Sequence, residues 1–323
     1  MNIRRHKLIF LSLIFGYACT SFAQSFKFVA IGDMPYNPPK DYVRYERLIT
    51  EINRLKPSFT LFIGDTKSGS SNCSDEFNQL VKNYFNQFNG PLIYSVGDNE
   101  WTDCHRPLAG SYEPLERLAR LRQTFFQNKM SLGKQALQLS RQSDLDPQYS
   151  KFVENSSFVK NGVLFVNLHI PGSNNNFERD EAAKAEYRER NQANLSWIKR
   201  AFDLASTKQY VGLVIFYQAD MFYTGKEPID PESGYRDTLL SLSKHAEELK
   251  KPILLIHGDS HRLIIDQPLK TPDQKHALEN VLRLQVMGAE LIQGVEIEVD
   301  PKSEQPFSFT PILLKQNMLH PSP

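Results

Sequence analysis

Short apolar runs that end abruptly alternate with amphipathic stretches. Phe26 to Ile31, Phe59 to Ile63 and Pro91 to Val96 read as buried strands. Between them, Tyr42 to Arg54 carries Val43, Leu48, Ile49 and Ile52 at helical spacing, and Glu76 to Phe88 carries Phe77, Leu80, Val81, Tyr84 and Phe85. Strand alternating with helix predicts a parallel sheet with right-handed crossovers. Further strands are expected at Val163 to His169, Tyr210 to Phe216 and Ile253 to His257, with a long helix from Asp180 to Ala205 between the first two. Beyond residue 262 the pattern predicts strands alone, at Leu263 to Ile265, Val281 to Met287, Leu291 to Val299 and Phe309 to Leu314. The expected architecture is an α/β body closed by a run of antiparallel strands, giving two packed sheets flanked by helices. Functional groups then collect beyond the carboxyl ends of the strands.

Composition narrows the classes. With 40% hydrophobic and 11% aromatic residues among 323, the chain can bury a large core. Lys and Arg (38) balance Asp and Glu (37), so no basic groove for nucleic acid is expected. The one continuously apolar stretch is at the start, where Arg4, Arg5 and Lys7 precede Leu8 to Tyr17 and Ser21-Phe22-Ala23 supplies the small residues read by a signal peptidase. Cleavage after Ala23 makes residues 1–23 a signal peptide, leaves 24–315 as one domain without an internal linker, and 316–323 as a fraying tail. The expected location is periplasmic or secreted, with no membrane attachment after cleavage. A lipoprotein reading of Gly16-Tyr17-Ala18-Cys19 meets a bulky Tyr17 and no leucine three positions before the cysteine. Cleavage also leaves two cysteines, Cys73 and Cys104, which in an oxidising compartment have one intramolecular pairing; two free buried thiols are the alternative.

Four of the strand-like runs end in the same dipeptide: Gly32-Asp33, Gly64-Asp65, Gly97-Asp98 and Gly258-Asp259. Chance predicts about one Gly-Asp pair at this composition. Glycine lets the chain turn sharply off a strand, and the aspartate projects over the sheet edge. Carboxylates gathered there repel one another unless protonated or neutralised by cations. An oxygen-rich set suits hard divalent metals, and His261 of Gly258-Asp259-Ser260-His261 admits Mn²⁺, Fe²⁺ or Zn²⁺.

The order Gly-Asp, Gly-Asp, Gly-Asp-Asn-Glu, Gly-Asp-Ser-His over residues 26 to about 265 resembles the calcineurin-like metallophosphoesterase family, as a divergent member. The resemblance implies a four-layer α-β-β-α sandwich, two divalent metals at the strand ends, and hydrolysis of a phosphomonoester or phosphodiester through metal-activated water. It assigns Asp33, Asp65, Asp98, Asp220, Asp259 and His261 as ligands, with Gln218 the alternative to Asp220 at the family's lone-histidine position, and a small phosphorylated molecule as partner. The chain departs from the family pattern at Pro35, Ser68, Asn99, Gln218-Ala219-Asp220 and Asp259. Nitrogen ligands have mostly become oxygen ligands, which favours Mg²⁺, Ca²⁺, Mn²⁺ or Fe²⁺ over Zn²⁺. Lys67 reads either as a charge replacing one cation or as a solvated loop residue.

Asn99 stands where the family has a histidine that contacts the phosphoryl group; it can donate a hydrogen bond but cannot transfer a proton. His105 and His169 are the alternative proton donors. Ser173-Asn174-Asn175-Asn176 reads as a turn. The competing functional reading is a catalytically impaired protein of the same fold that binds metal or ligand.

Overall fold

A computed structural model describes residues 24–223 and 229–318. The expected signal peptide, 1–23, lies outside the described residues.

The first half builds β1 (Phe26–Ile31), α1 (Lys40–Leu55), β2 (Thr60–Ile63), α2 (Asp75–Phe85), β3 (Leu92–Ser95) and α3 (Pro114–Phe125). The second half adds β4 (Ser140–Arg141), the single turn α4 (Gln142–Leu145), β5 (Ser156–Lys160), β6 (Val163–Asn167) and the turn α5 (Gly172–Asn175). It continues with α6 (Glu181–Thr207), β7 (Gly212–Phe216), α7 (Arg236–Leu249), β8 (Ile253–His257), β9 (Ile264–Asp266), β10 (Val281–Gln285), β11 (Gly294–Val299) and β12 (Phe307–Ile312).

Two sheets form, ordered β12-β11-β1-β2-β3 and β4-β5-β6-β7-β8-β10-β9. In the first, β1, β2 and β3 are parallel. In the second, β6, β7, β8 and β10 are parallel. Such strands are covered on both faces, which is why they read as unbroken apolar runs. One core joins the sheets: Phe28, Leu61 and Ile93 of the first pack with Phe165, Val214, Phe216, Leu254 and Ile256 of the second. Outside the first sheet, Tyr45, Leu48 and Ile49 of α1 join Val81 and Phe85 of α2 and Leu121 of α3. Outside the second, Trp197, Ile198 and Phe202 of α6 join Leu239 and Leu242 of α7. The layers are helix, sheet, sheet, helix.

Local signals set the helix ends. Ser74 Oγ accepts from the Phe77 N–H at 3.2 Å to start α2, and the Asp180 carboxylate accepts from the Ala183 N–H at 2.7 Å to start α6.

The final strands do not close the body as one antiparallel run. β10 lies parallel beside β8, while β11 runs antiparallel to β1, so the segment supplies both sheets. β10 takes an interior place between β8 and β9, and the chain then crosses to the edge of β1. Within the described residues, the chain is anchored as far as Asn317. Asn317 is buried, and its amide donates to the carbonyl oxygens of Arg44 (2.8 Å) and Ile292 (2.9 Å).

Candidate metal centre

The parallel strands of both sheets point their carboxyl ends to one place. Asp33 follows β1, Asp65 follows β2, Asp98 follows β3 and Asp259 follows β8. Asp33, Asp65 and Asp259 take left-handed backbone angles (φ 54°, 55° and 75°), a region in which aspartate is tolerated better than most residues. The neighbouring glycines serve close approach. A Cβ on Gly97 would collide with Asp65 Oδ1, one on Gly258 with Asp33 Oδ2, and one on Gly172 would lie 2.8 Å from the Asp98 carboxyl carbon.

Carboxylate oxygens of Asp65, Asp98 and Asp259 lie within 4.8 Å of one another. Burial, then the Asp98 and Glu100 charges, pushes the Asp65 carboxyl well above its ordinary range. Burial and Asp259 do the same to Asp33 and Asp98. Asp259 is raised to about 6, first by burial. Stacked negative charge in a low-dielectric site favours either protons or a cation. Asp98 Oδ1 is buried with no hydrogen-bond partner. An orphaned acceptor among converging carboxylates fits a divalent cation with oxygen ligands.

The cluster opens on a cavity of about 430 Å³, lined by Thr102, Asp103, His105, Ser173, Asp220 and Asp259 among others. Ser173 closes one side, its hydroxyl 2.8 Å from both Asp98 Oδ2 and Asp103 Oδ1. Residues Ser173 to Asn176 all have positive φ, between 48° and 59°. This left-handed turn costs energy for non-glycine residues, least for asparagine, and it aims Ser173 at Asp98.

No family model matches the chain, and no curated protein matches it. Solved structures share its architecture. GAP50, described as the anchor in the inner membrane complex of Plasmodium, aligns with a TM-score of 0.52 at 10% identity, over 90% of this chain and 89% of its own. A dimetal phosphatase from Danio rerio aligns with a TM-score of 0.50 at 14% identity, over 89% of this chain and 99% of its own. The fold resembles that of a dimetal phosphatase. At these identities the likeness concerns architecture: two sheets between helices.

Within that architecture the ligand candidates divide. Asp65, Asp98 and Asp259 converge. Asp33 lies alongside, its two oxygens accepting the Asp259 backbone N–H at 3.0 and 3.2 Å, and His261 Nε2 stands 3.6 Å from Asp33 Oδ1. Burial lowers the His261 pKa. Asp220 sits beside the trio, its backbone N–H donating to Asp259 Oδ2 at 2.9 Å. Its Oδ2 accepts from Ser260 Oγ at 2.7 Å, and its Oδ1 faces Arg283 at 3.7 Å. Gln218, the alternative at that position, reaches Asp65 with its amide nitrogen, which donates to Asp65 Oδ2 at 3.2 Å.

The proton-donor candidates divide too. His105 is exposed at the cavity, with Nδ1 2.7 Å from the Thr102 carbonyl oxygen. His169, against expectation, does not line the cavity; it is buried against Trp101, with Nδ1 2.7 Å from Glu154 Oε1. Glu154 also pairs with Arg122 at 2.6 Å. Asn99 sits inside the cluster, with Nδ2 2.7 Å from Asp65 Oδ2.

Lys67 is not a solvated loop residue: it is 2% exposed. Burial lowers its pKa, against the pull of Glu100 and Asp65. Cys73 and Cys104 are disulfide-bonded, with Cα atoms 5.8 Å apart. Glu100 is legible in the sequence only as part of a motif. Its Oε2 accepts the Gly97 N–H at 3.0 Å and its Oε1 accepts the Thr66 N–H, tying the second and third motif loops together. Ser173 has only the turn-like composition of its segment to mark it.

Proposed function

We propose that the chain is an exported, divalent-cation-dependent phosphoric ester hydrolase acting on a small phosphomonoester or phosphodiester. The observation that carries this is the convergence of Asp65, Asp98 and Asp259 on one another beside a cavity that Asp259 lines. Export rests on the leader-like N-terminus together with the disulfide, a bond suited to an oxidising compartment. No helix among the described residues is long and apolar enough to cross a membrane.

Asp65, Asp98 and Asp259 would hold the cation, with Asp33 and His261 beside them. Their oxygen chemistry suits Mn²⁺, Mg²⁺, Fe²⁺ or Ca²⁺ better than Zn²⁺. Bound there, a cation supplies charge neutralisation for a phosphoryl group and acidifies water. The chain's own residues supply position and protons. Asn99 orients Asp65. Ser173 fixes Asp98 from the cavity side. His105, its Nδ1 2.7 Å from the Thr102 carbonyl oxygen, faces the cavity as the candidate to hand a proton to a departing alkoxide. Arg106, paired with Asp103 at 2.6 Å, and Arg179 stand among the carboxylates of the cavity wall, where a bound cation would be needed to tip the balance toward an anionic substrate.

The test is hydrolysis of p-nitrophenyl phosphate and bis(p-nitrophenyl) phosphate by residues 24–323 with Mn²⁺. Activity is expected to vanish with EDTA. Asp98→Asn is expected to lower the rate by at least about a hundredfold, the equivalent of several kcal/mol of transition-state stabilisation. A second reading, a metal- or ligand-binding protein without turnover, is favoured by one observation: Asn99 occupies the proton-donor position and is bound to Asp65. GAP50 carries the same architecture and is described as an anchor. Retained Mn²⁺ with no hydrolysis of either ester would decide for that reading.

A further inference from the structure

Resting on the reading of this cluster as a cation site, we propose that it holds one divalent cation, the place of a second being filled by hydrogen-bond donors of this chain. Asp65 is the carboxylate on which hydrogen-bond donors converge. Its Oδ2 receives three donors: Tyr36 Oη at 3.0 Å, Asn99 Nδ2 at 2.7 Å and Gln218 Nε2 at 3.2 Å. Donor hydrogens occupy the same lone pairs that a cation needs, and they repel it.

Neither amide can turn over to offer its oxygen. Gln218 Oε1 accepts the Gly172 N–H, which fixes Nε2 toward Asp65. Asn99 Nδ2 also donates to the Lys67 carbonyl oxygen at 3.0 Å, so a flip would set oxygen against oxygen. Two residues after Asp33 stands Pro35, whose side chain has no donor atom, and both Asp33 oxygens accept the Asp259 N–H. Lys67 buries its positive charge beside this group and donates to the Ser68 carbonyl oxygen at 3.4 Å.

The other side of the cluster is built differently. Asp98 is 6% exposed, and its Oδ1 has no partner. Asp65 Oδ1 accepts one backbone N–H, from Asn99 at 3.2 Å. With Asp259 these acceptors leave room for a single cation on the Asp98 side, while donors crowd the side of Asp65 that the Tyr36 hydroxyl faces.

The test counts Mn²⁺ bound to residues 24–323 by elemental analysis after equilibrium dialysis, with the electron paramagnetic resonance spectrum recorded on the same sample. One equivalent and the six-line signal of an isolated Mn²⁺ are expected. Gln218→Glu keeps an oxygen for the Gly172 N–H and turns the donor facing Asp65 into an acceptor, so a second, weaker equivalent is expected there. Circular dichroism checks that the variant is folded. Two equivalents on the unaltered chain, or an unchanged count in folded Gln218→Glu, would overturn the inference. Turnover measured in parallel separates the two readings. One equivalent without hydrolysis leaves this inference standing and refutes the hydrolase. Two equivalents with hydrolysis does the reverse. No bound Mn²⁺ refutes both.

Discussion

At the residue scale, Gly97 and Gly258 set how closely the chain approaches the Asp65 and Asp33 carboxylates. Gly97 lies against Asp65, so a methyl group there would meet Asp65 Oδ1 and the Asp65 backbone nitrogen. Overpacking of this kind typically costs about 1–3 kcal/mol. Gly97→Ala is expected to lower the melting temperature and to weaken Mn²⁺ binding, both measured by thermal melts with and without Mn²⁺. An unchanged melt in both conditions would show that the approach is not tight. The Gly-Asp pairs are legible in the sequence because the dipeptide recurs at the ends of apolar runs. The holding of the Asp220 carboxylate beside the trio is not. It depends on Ser260 and Arg283, which come from segments remote in sequence and meet Asp220 only in the fold.

At the element scale, the loops after β2 and β3 are tied by the Cys73–Cys104 bond across 31 residues. In the chain-entropy account a loop of that length contributes about 3–4 kcal/mol. Replacing both cysteines by serine is expected to lower urea stability by about that amount, and an effect below about 1 kcal/mol would mean that packing alone orders these loops. Among the elements, β1 and β8 match their apolar runs end to end. The apolar pattern leaves α3 and β5 unmarked. In α3 the buried Leu118 and Leu121 are interleaved with arginines, and β5 is largely polar, so neither has the unbroken apolar run that marks a central strand.

At the scale of the whole molecule, Glu154 links α3 to the strand end that carries His169. Burial alone would raise the Glu154 carboxyl, but Arg122 and His169 overcome it and hold the carboxyl well below its ordinary range. Burial lowers His169, against the pull of Glu154, so the ring is neutral in the fold. Both folded pKa values lie below the unfolded ones, so both contributions are full at neutral pH and are lost as pH falls, His169 from about 6.5 and Glu154 from about 4.5. Glu154→Gln is expected to cost about 3 kcal/mol at pH 7, by leaving Arg122 short of its partner, and much less near pH 3. Urea titrations at the two pH values check this; an equal loss at both would exclude the linkage.

The sequence by itself determined the strand–helix alternation, the four Gly-Asp strand ends and the excess of oxygen over nitrogen ligands, because each is written in neighbouring residues. Only the tertiary structure decided which carboxylates meet, because that depends on sheet order. Placing β10 beside β8 and β11 beside β1 brings the two sets of parallel strands to a common end. The same packing buries Lys67, locks the amides of Asn99 and Gln218 onto Asp65, and moves His169 out of the cavity. Those outcomes arise from contacts between segments far apart in the chain, and no local pattern encodes them.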